Sequence, residues 1–142
     1  MSELIRFGVS IEGVLLESFD KLVDSRGYST RSEAIRDLIR EALIAEKIEA
    51  KPNASALGTL TIVYDHHAKN LVQAMGDIQH RFHNLVLSVM HLHVSHDDCM
   101  EVIALSGRVS DIIKLSNSIL SLKGIKHGKM FLTLPSSGIT NS

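Results

Sequence analysis

The sequence predicts an α+β chain made of two differently organised parts, and three observations carry that expectation. Residues 1–50 read as one strand followed by two helices. After a short aperiodic stretch, strands and helices follow one another in the order βαββαβ. All eight histidines and the one cysteine lie at or beyond His66, so the groups that favour transition metals are confined to the second part. A length of 142 residues fits one ordinary domain, or two small ones that each recruit a partner subunit. With 44% hydrophobic and 22% charged residues, the composition excludes a largely disordered chain.

The first strand spans Leu4–Ile11. Ile5, Phe7, Val9 and Ile11 alternate with Arg6, Gly8 and Ser10, the period of a half-buried strand. From Glu12 to Arg26, Leu15, Leu16, Phe19, Leu22 and Val23 recur at helical spacing, and Gly27 stands where a left-handed C-cap is wanted. Thr30 to Glu33 match a capping box, with Glu33 expected to reach back to the Thr30 amide. The helix behind it runs to about Glu49. One strand and two short helices cannot bury this many apolar groups, and a lone strand leaves both edges unpaired. Two copies pairing their strands as an antiparallel ribbon over four helices solve both problems. This ribbon-helix-helix arrangement can enter a DNA major groove, with Arg6, Gly8 and Ser10 facing the base edges.

Residues 51–58, with Pro52, Asn53 and Ser55, read as a linker. Beyond it, strands are expected at Thr59–Tyr64, Leu85–Val94, Cys99–Leu105 and Lys126–Leu134, with helices at Lys69–His83 and Val109–Ser121. That order is the ferredoxin-like split βαβ pattern, over residues 59–135, followed by a tail at 136–142. The strand at Leu85–Val94 is apolar on both faces, so one face should pack on the helices and the other on a second subunit.

Charge sets a limit. Fifteen basic and sixteen acidic residues give a net charge of −1, and residues 1–50 alone hold seven basic and ten acidic ones. DNA contact must therefore rest on placed groups such as Arg6, Arg26 and Arg31 rather than on a broad positive field. The absence of long apolar runs and of a secretory leader, together with the single cysteine, predicts a cytoplasmic protein.

The chemistry gathers around His91-Leu92-His93 and Cys99. Strand periodicity puts both imidazoles on one face. A three-residue loop at His96–Asp98 pairs Ser95 with Cys99 and His93 with Glu101, which leaves His91, His93, Cys99 and Glu101 on one side. A two-residue loop sends Cys99 to the other face. His80 stands roughly 200° around its helix from Ile78, so it points away from its own core and can complete a site on another subunit. A planar set of three nitrogens and one sulfur suits Ni(II) or Cu(II), and a tetrahedral one suits Zn(II). Glu101 is the carboxylate expected to orient an imidazole. The plainer alternative is surface histidines beside an inert buried thiol. For His66, His67, His83, His96 and His127 the expectation is ordinary exposed or hydrogen-bonding roles.

Arg6 on its short strand, Arg26-Gly27-Tyr28, Arg31-Ser32-Glu33-Ala34-Ile35-Arg36-Asp37 and His91-Leu92-His93-Val94-Ser95-His96-Asp97-Asp98-Cys99 together resemble the nickel-responsive transcriptional regulators (NikR). The resemblance covers the chain apart from linker and tail. It implies a homotetramer, a dimer of dimers whose ferredoxin-like (ACT-type) core carries two ribbon-helix-helix dimers. It implies Ni(2+) held in a square plane by His91, His93 and Cys99 of one subunit with His80 of another. It further implies a cation, often potassium (K+), near Glu33 and Asp37, and base readout of a two-part palindromic operator by Arg6, Gly8 and Ser10. Gly8 departs from the family pattern, which commonly has a hydrogen-bonding side chain there. The expected activity is repression of nickel-uptake genes when nickel is abundant, with no catalysis. A sensor of another metal, or of a small ligand bound by the ACT-like domain, is the competing expectation.

Overall fold

The computed structural model describes residues 3–135, and the expected tail at 136–142 lies outside the described residues. Its elements are α1 (Gly13–Ser25), α2 (Arg31–Ala50), β1 (Ser55–Asp65), α3 (Leu71–Arg81), β2 (Val86–His93), β3 (Asp98–Arg108), α4 (Val109–Leu120) and β4 (Ile125–Thr133). Compact packing divides the chain between Ala42 and Leu43, inside α2 and ahead of the expected boundary at residue 50. The physical reason is the apolar stripe of α2: Ile44 and Ile48 pack on the core of the second unit. β1 begins at Ser55, so residues 55–58 are strand rather than linker.

In the first unit, α1 stops at a Schellman turn. Tyr28 N–H donates to the Val23 carbonyl and Gly27 N–H to that of Asp24, with Gly27 at φ 76°. The capping box forms with one shift: Glu33 N–H donates to Thr30 Oγ1 (3.2 Å), while the Glu33 carboxylate accepts from the Ser29 amide (3.3 Å) rather than from that of Thr30. Arg31 clamps Asp20 through two hydrogen bonds of 2.8 and 2.9 Å, tying the start of α2 to α1. The guanidinium holds the Asp20 carboxyl below its ordinary range.

Residues 3–12 carry no strand in the single chain. A strand needs a hydrogen-bonded neighbour, and one copy contains none for this segment. Leu4, Ile5, Phe7 and Val9 accordingly stand exposed. Ile5, Phe7, Val9 and Ile11 form one wall of a groove of about 930 Å³, with Leu16, Phe19, Ile35 and Ile39 among the residues lining the rest.

The second unit is a four-stranded antiparallel sheet in the order β2-β3-β1-β4. This is the order of the split βαβ fold. Opposite residues in the register share a face. Leu60, Ile62 and Tyr64 of β1 therefore lie with Cys99, Ile103 and Leu105 of β3, and α3 and α4 cover them with Leu71, Met75, Ile78, Ile112, Leu115 and Ile119. On β2 and β4, Met90, Leu92 and Phe131 remain exposed.

Candidate metal centre

The β2–β3 register decides which donors meet. His93 lies opposite Cys99, and His91 opposite Glu101. The expected pairing of Ser95 with Cys99 and His93 with Glu101 is off by two residues, because the turn is longer than three. Val94 and Ser95 N–H both donate to the Asp98 carbonyl, and Ser95 Oγ accepts from the amides of Asp97 and Asp98. A shift of two preserves side-chain parity, so His91, His93, Cys99 and Glu101 still share one face. That face is the helix-covered one.

Cys99 is fully buried, yet its sulfur meets polar atoms. Sγ lies 3.2 Å from His66 Nδ1 and 3.5 Å from His93 Nδ1. Metal–nitrogen bonds of about 2.0 Å and metal–sulfur bonds of about 2.3 Å put adjacent donors roughly 3 Å apart. The spacing thus fits a borderline-soft transition ion. His66, for which the sequence predicts an ordinary role, brings the nearest nitrogen to Sγ. It sits two residues beyond Tyr64, which pairs with Cys99, so the β1–β3 register is the signal that finds it. His66 N–H donates to the Asp97 carbonyl (2.8 Å), which fixes this corner to the β2–β3 turn.

His91 has its ring 5.0 Å from that of His93 but stands outside the converging trio of His66, His93 and Cys99. Its Nδ1 lies 3.1 Å from the Tyr64 hydroxyl and 3.7 Å from Glu101 Oε1. Burial, then the charge of Glu101, pushes the Tyr64 hydroxyl up to about 12, so it stays protonated. Glu101 is itself buried and accepts from Gln79 Nε2 of α3 at 3.1 Å. The carboxylate therefore links His91 to the helix residue preceding His80. Within one chain His80 faces His83, with ring centroids 6.1 Å apart, and is not among the donors around Cys99.

In the first unit, Arg6, Gly8 and Ser10 are exposed. Glu33 and Asp37 line a pocket of about 420 Å³ with Leu4, Tyr28, Arg36 and Arg40. Both Asp37 oxygens are engaged, one by the Tyr28 hydroxyl at 2.7 Å and the other by Arg40 at 3.0 Å.

Comparison with known families places this geometry. Residues 57–133 match the NikR C terminal nickel binding domain, and residues 5–46 match the ribbon-helix-helix protein, copG family. A protein of Solibacter usitatus named "Putative nickel-responsive regulator" is 47% identical over 133 residues, 94% of this chain and 95% of the relative. One of the same name from Nitratidesulfovibrio vulgaris strain Miyazaki F is 48% identical over 140 residues, 99% and 100% of the two chains. Among solved structures, an uncharacterized protein from Thermotoga maritima superposes with a TM-score of 0.50 at 18% identity. It covers 55% of this chain and 96% of its own, a likeness of fold alone.

Proposed function

The chain belongs to the NikR family of nickel-responsive regulators, and on that premise we propose how its residues divide the work of sensing nickel and reading DNA. The family is one of DNA-binding, oligomeric regulators rather than enzymes. The observation that carries the reading is the buried Cys99 sulfur flanked by imidazole nitrogens inside the matched nickel-binding domain.

In this proposal His91, His93 and Cys99 hold nickel, and His80 of a second copy supplies the remaining donor. Bound nickel supplies a bond network that joins two chains. Glu101 positions His91, while Gln79 ties the same carboxylate to α3, so filling the site and ordering α3 are one event. The exposed Met90, Leu92 and Phe131 support burial against another copy, in a dimer of dimers. Each two-stranded ribbon presents Arg6, Gly8 and Ser10 to one half of a palindromic operator, and the two ribbons of one tetramer gain from joint engagement. A state favoured by metal and by DNA alike couples the two affinities, so operator DNA must also tighten nickel. Repression of nickel-uptake genes in the cytoplasm is the expected consequence. The division of labour falls near residues 1–50 and 59–135. A potassium ion at Glu33 and Asp37 belongs to the proposal too, and it requires Arg40 to leave Asp37.

His66 favours a second donor set, in which one chain holds the ion through His66, His93 and Cys99. Absorption spectra of the nickel complex separate the two. If His80→Ala abolishes the sulfur-to-nickel charge-transfer band and His66→Ala leaves it, the shared site stands; the reverse pattern assigns the site to a single chain. A footprinting titration at fixed salt and potassium tests the coupling. Operator protection that does not strengthen with nickel overturns it.

A further inference from the structure

Like charges face each other at the end of the sheet that carries the donors. Asp65 of β1 and Asp98 of β3 are cross-strand partners, and opposed carboxylates destabilise a strand pair. The two lie on the outer face, because Tyr64 and Cys99, one residue away on each strand, point under the helices. Asp97 adds a third carboxylate, with His67 Nε2 3.5 Å from its Oδ1.

The register of β4 answers this repulsion. Along β1 and β4 the partners advance one for one until Val63 faces His127 and Tyr64 faces Ile125. Lys126 is the residue passed over, the extra member of a β-bulge, and bulges re-aim side chains. Its ammonium reaches across β1, where Nζ donates to Asp98 Oδ1. Asp98, with Asp65 and Asp97 behind it, holds that ammonium above its ordinary value.

The lysine steadies the backbone that carries the thiol. The Asp98 carbonyl accepts from the Val94 and Ser95 amides, and Cys99 follows Asp98 directly. The Asp97 carbonyl accepts from the His66 amide, and His66 Nδ1 is 3.2 Å from Cys99 Sγ. An isolated exposed ion pair contributes little, but one cation set among several carboxylates is a network.

We propose that Lys126 is a positioning residue for the metal centre: from the opposite face of the sheet it neutralises Asp65, Asp97 and Asp98, and so holds Cys99 and His66 in place. The inference rests on the nickel-binding reading above. Cys99 belongs to both donor sets considered there, so the choice between them does not affect it.

The test compares full-length wild type with Lys126→Met, Lys126→Arg and the double variant K126M/D65N. Nickel affinity is measured by chelator competition, with the sulfur-to-nickel absorption band as its signal. Amide hydrogen exchange of His66, Val94 and Ser95 is measured in the metal-free protein. Lys126→Met is expected to weaken nickel binding about 10-fold, the lower end for groups that support a ligand, and to lose protection at those three amides. Lys126→Arg keeps the charge and retains both. K126M/D65N removes one of the opposed carboxylates and recovers part of each loss, which a lysine acting through packing alone does not allow. Arg108→Met breaks another exposed pair, to Asp111 at the far end of β3, and leaves both quantities at wild-type values. Wild-type affinity and protection in Lys126→Met overturn the proposal. So does a loss that neither Lys126→Arg nor K126M/D65N relieves. Wild type without the band overturns the nickel reading instead, and exchange in the metal-free protein still decides whether Lys126 holds the turn.

Discussion

The two compact units solve the problem of burial in opposite ways. Before Leu43, Val23 and Ala34 are the buried hydrophobic side chains among the described residues, while Phe7 is 68% exposed. Beyond it, Leu60, Ile62, Ile103, Ile112, Leu115 and Ile119 are wholly withdrawn from water inside one chain. The first unit is thus an interface awaiting its second copy, and its apolar strand residues line an open groove rather than a core. The second unit owns its core and, among the described residues, leaves the outer sheet face and the β2 and β4 edges open. DNA reading therefore depends on assembly from the start, whereas donors for metal already converge within one chain.

The sharpest way to break this contrast is at the cores. Ile103→Ala should cost about 2–5 kcal/mol of stability, the range for emptying a packed aliphatic site. Urea unfolding of the second unit should show that loss at every protein concentration. Phe7→Ala should cost about 1.5–3 kcal/mol, and only through association. Its signature is a DNA-binding unit whose melting temperature falls on dilution while the second unit is unmoved. If Phe7→Ala destabilises both units equally at all concentrations, the contrast fails.

At the site, Glu101→Gln removes the negative charge beside His91 and keeps an amide that can still meet Gln79. Nickel affinity, measured by chelator competition, should fall about 10–100-fold, as for other partners that orient a ligand imidazole. Unchanged affinity would leave His91 outside the metal's influence. The smallest effect is expected at the exposed Arg31–Asp20 clamp. Asp20 has a folded value below its ordinary 3.8, so its contribution is present above that pH and is lost as pH falls through the lower folded value. Arg31→Ala should flatten this acid dependence in thermal melts between pH 5 and pH 2, in the first unit alone.

Much of this was legible from local patterns. The helices announce themselves by periodicity, by the Thr30 cap and by Gly27, since these depend on neighbours within one turn. The common face of His91, His93, Cys99 and Glu101 was also readable, because parity survives a register shift of two. The pairing itself was not. It depends on how Ser95 Oγ and the Asp98 carbonyl gather the turn amides, which spacing alone does not express. The boundary inside α2 escaped too, because a continuous helix carries no break in periodicity where its packing partner changes.

The sequence by itself determined the order of elements, the need of the first strand for a second copy, and the small set of residues able to bind a transition metal. Those follow from side-chain chemistry and short-range geometry, which a linear chain displays directly. Only the tertiary structure decided that His66 lies against Cys99, that Glu101 stands beside His91, and that His67 turns toward His96 and Asp97. Each of those meetings is set by strand register and by loops fastened across the sheet. They bring together residues up to 33 positions apart in the chain, a proximity no local pattern encodes.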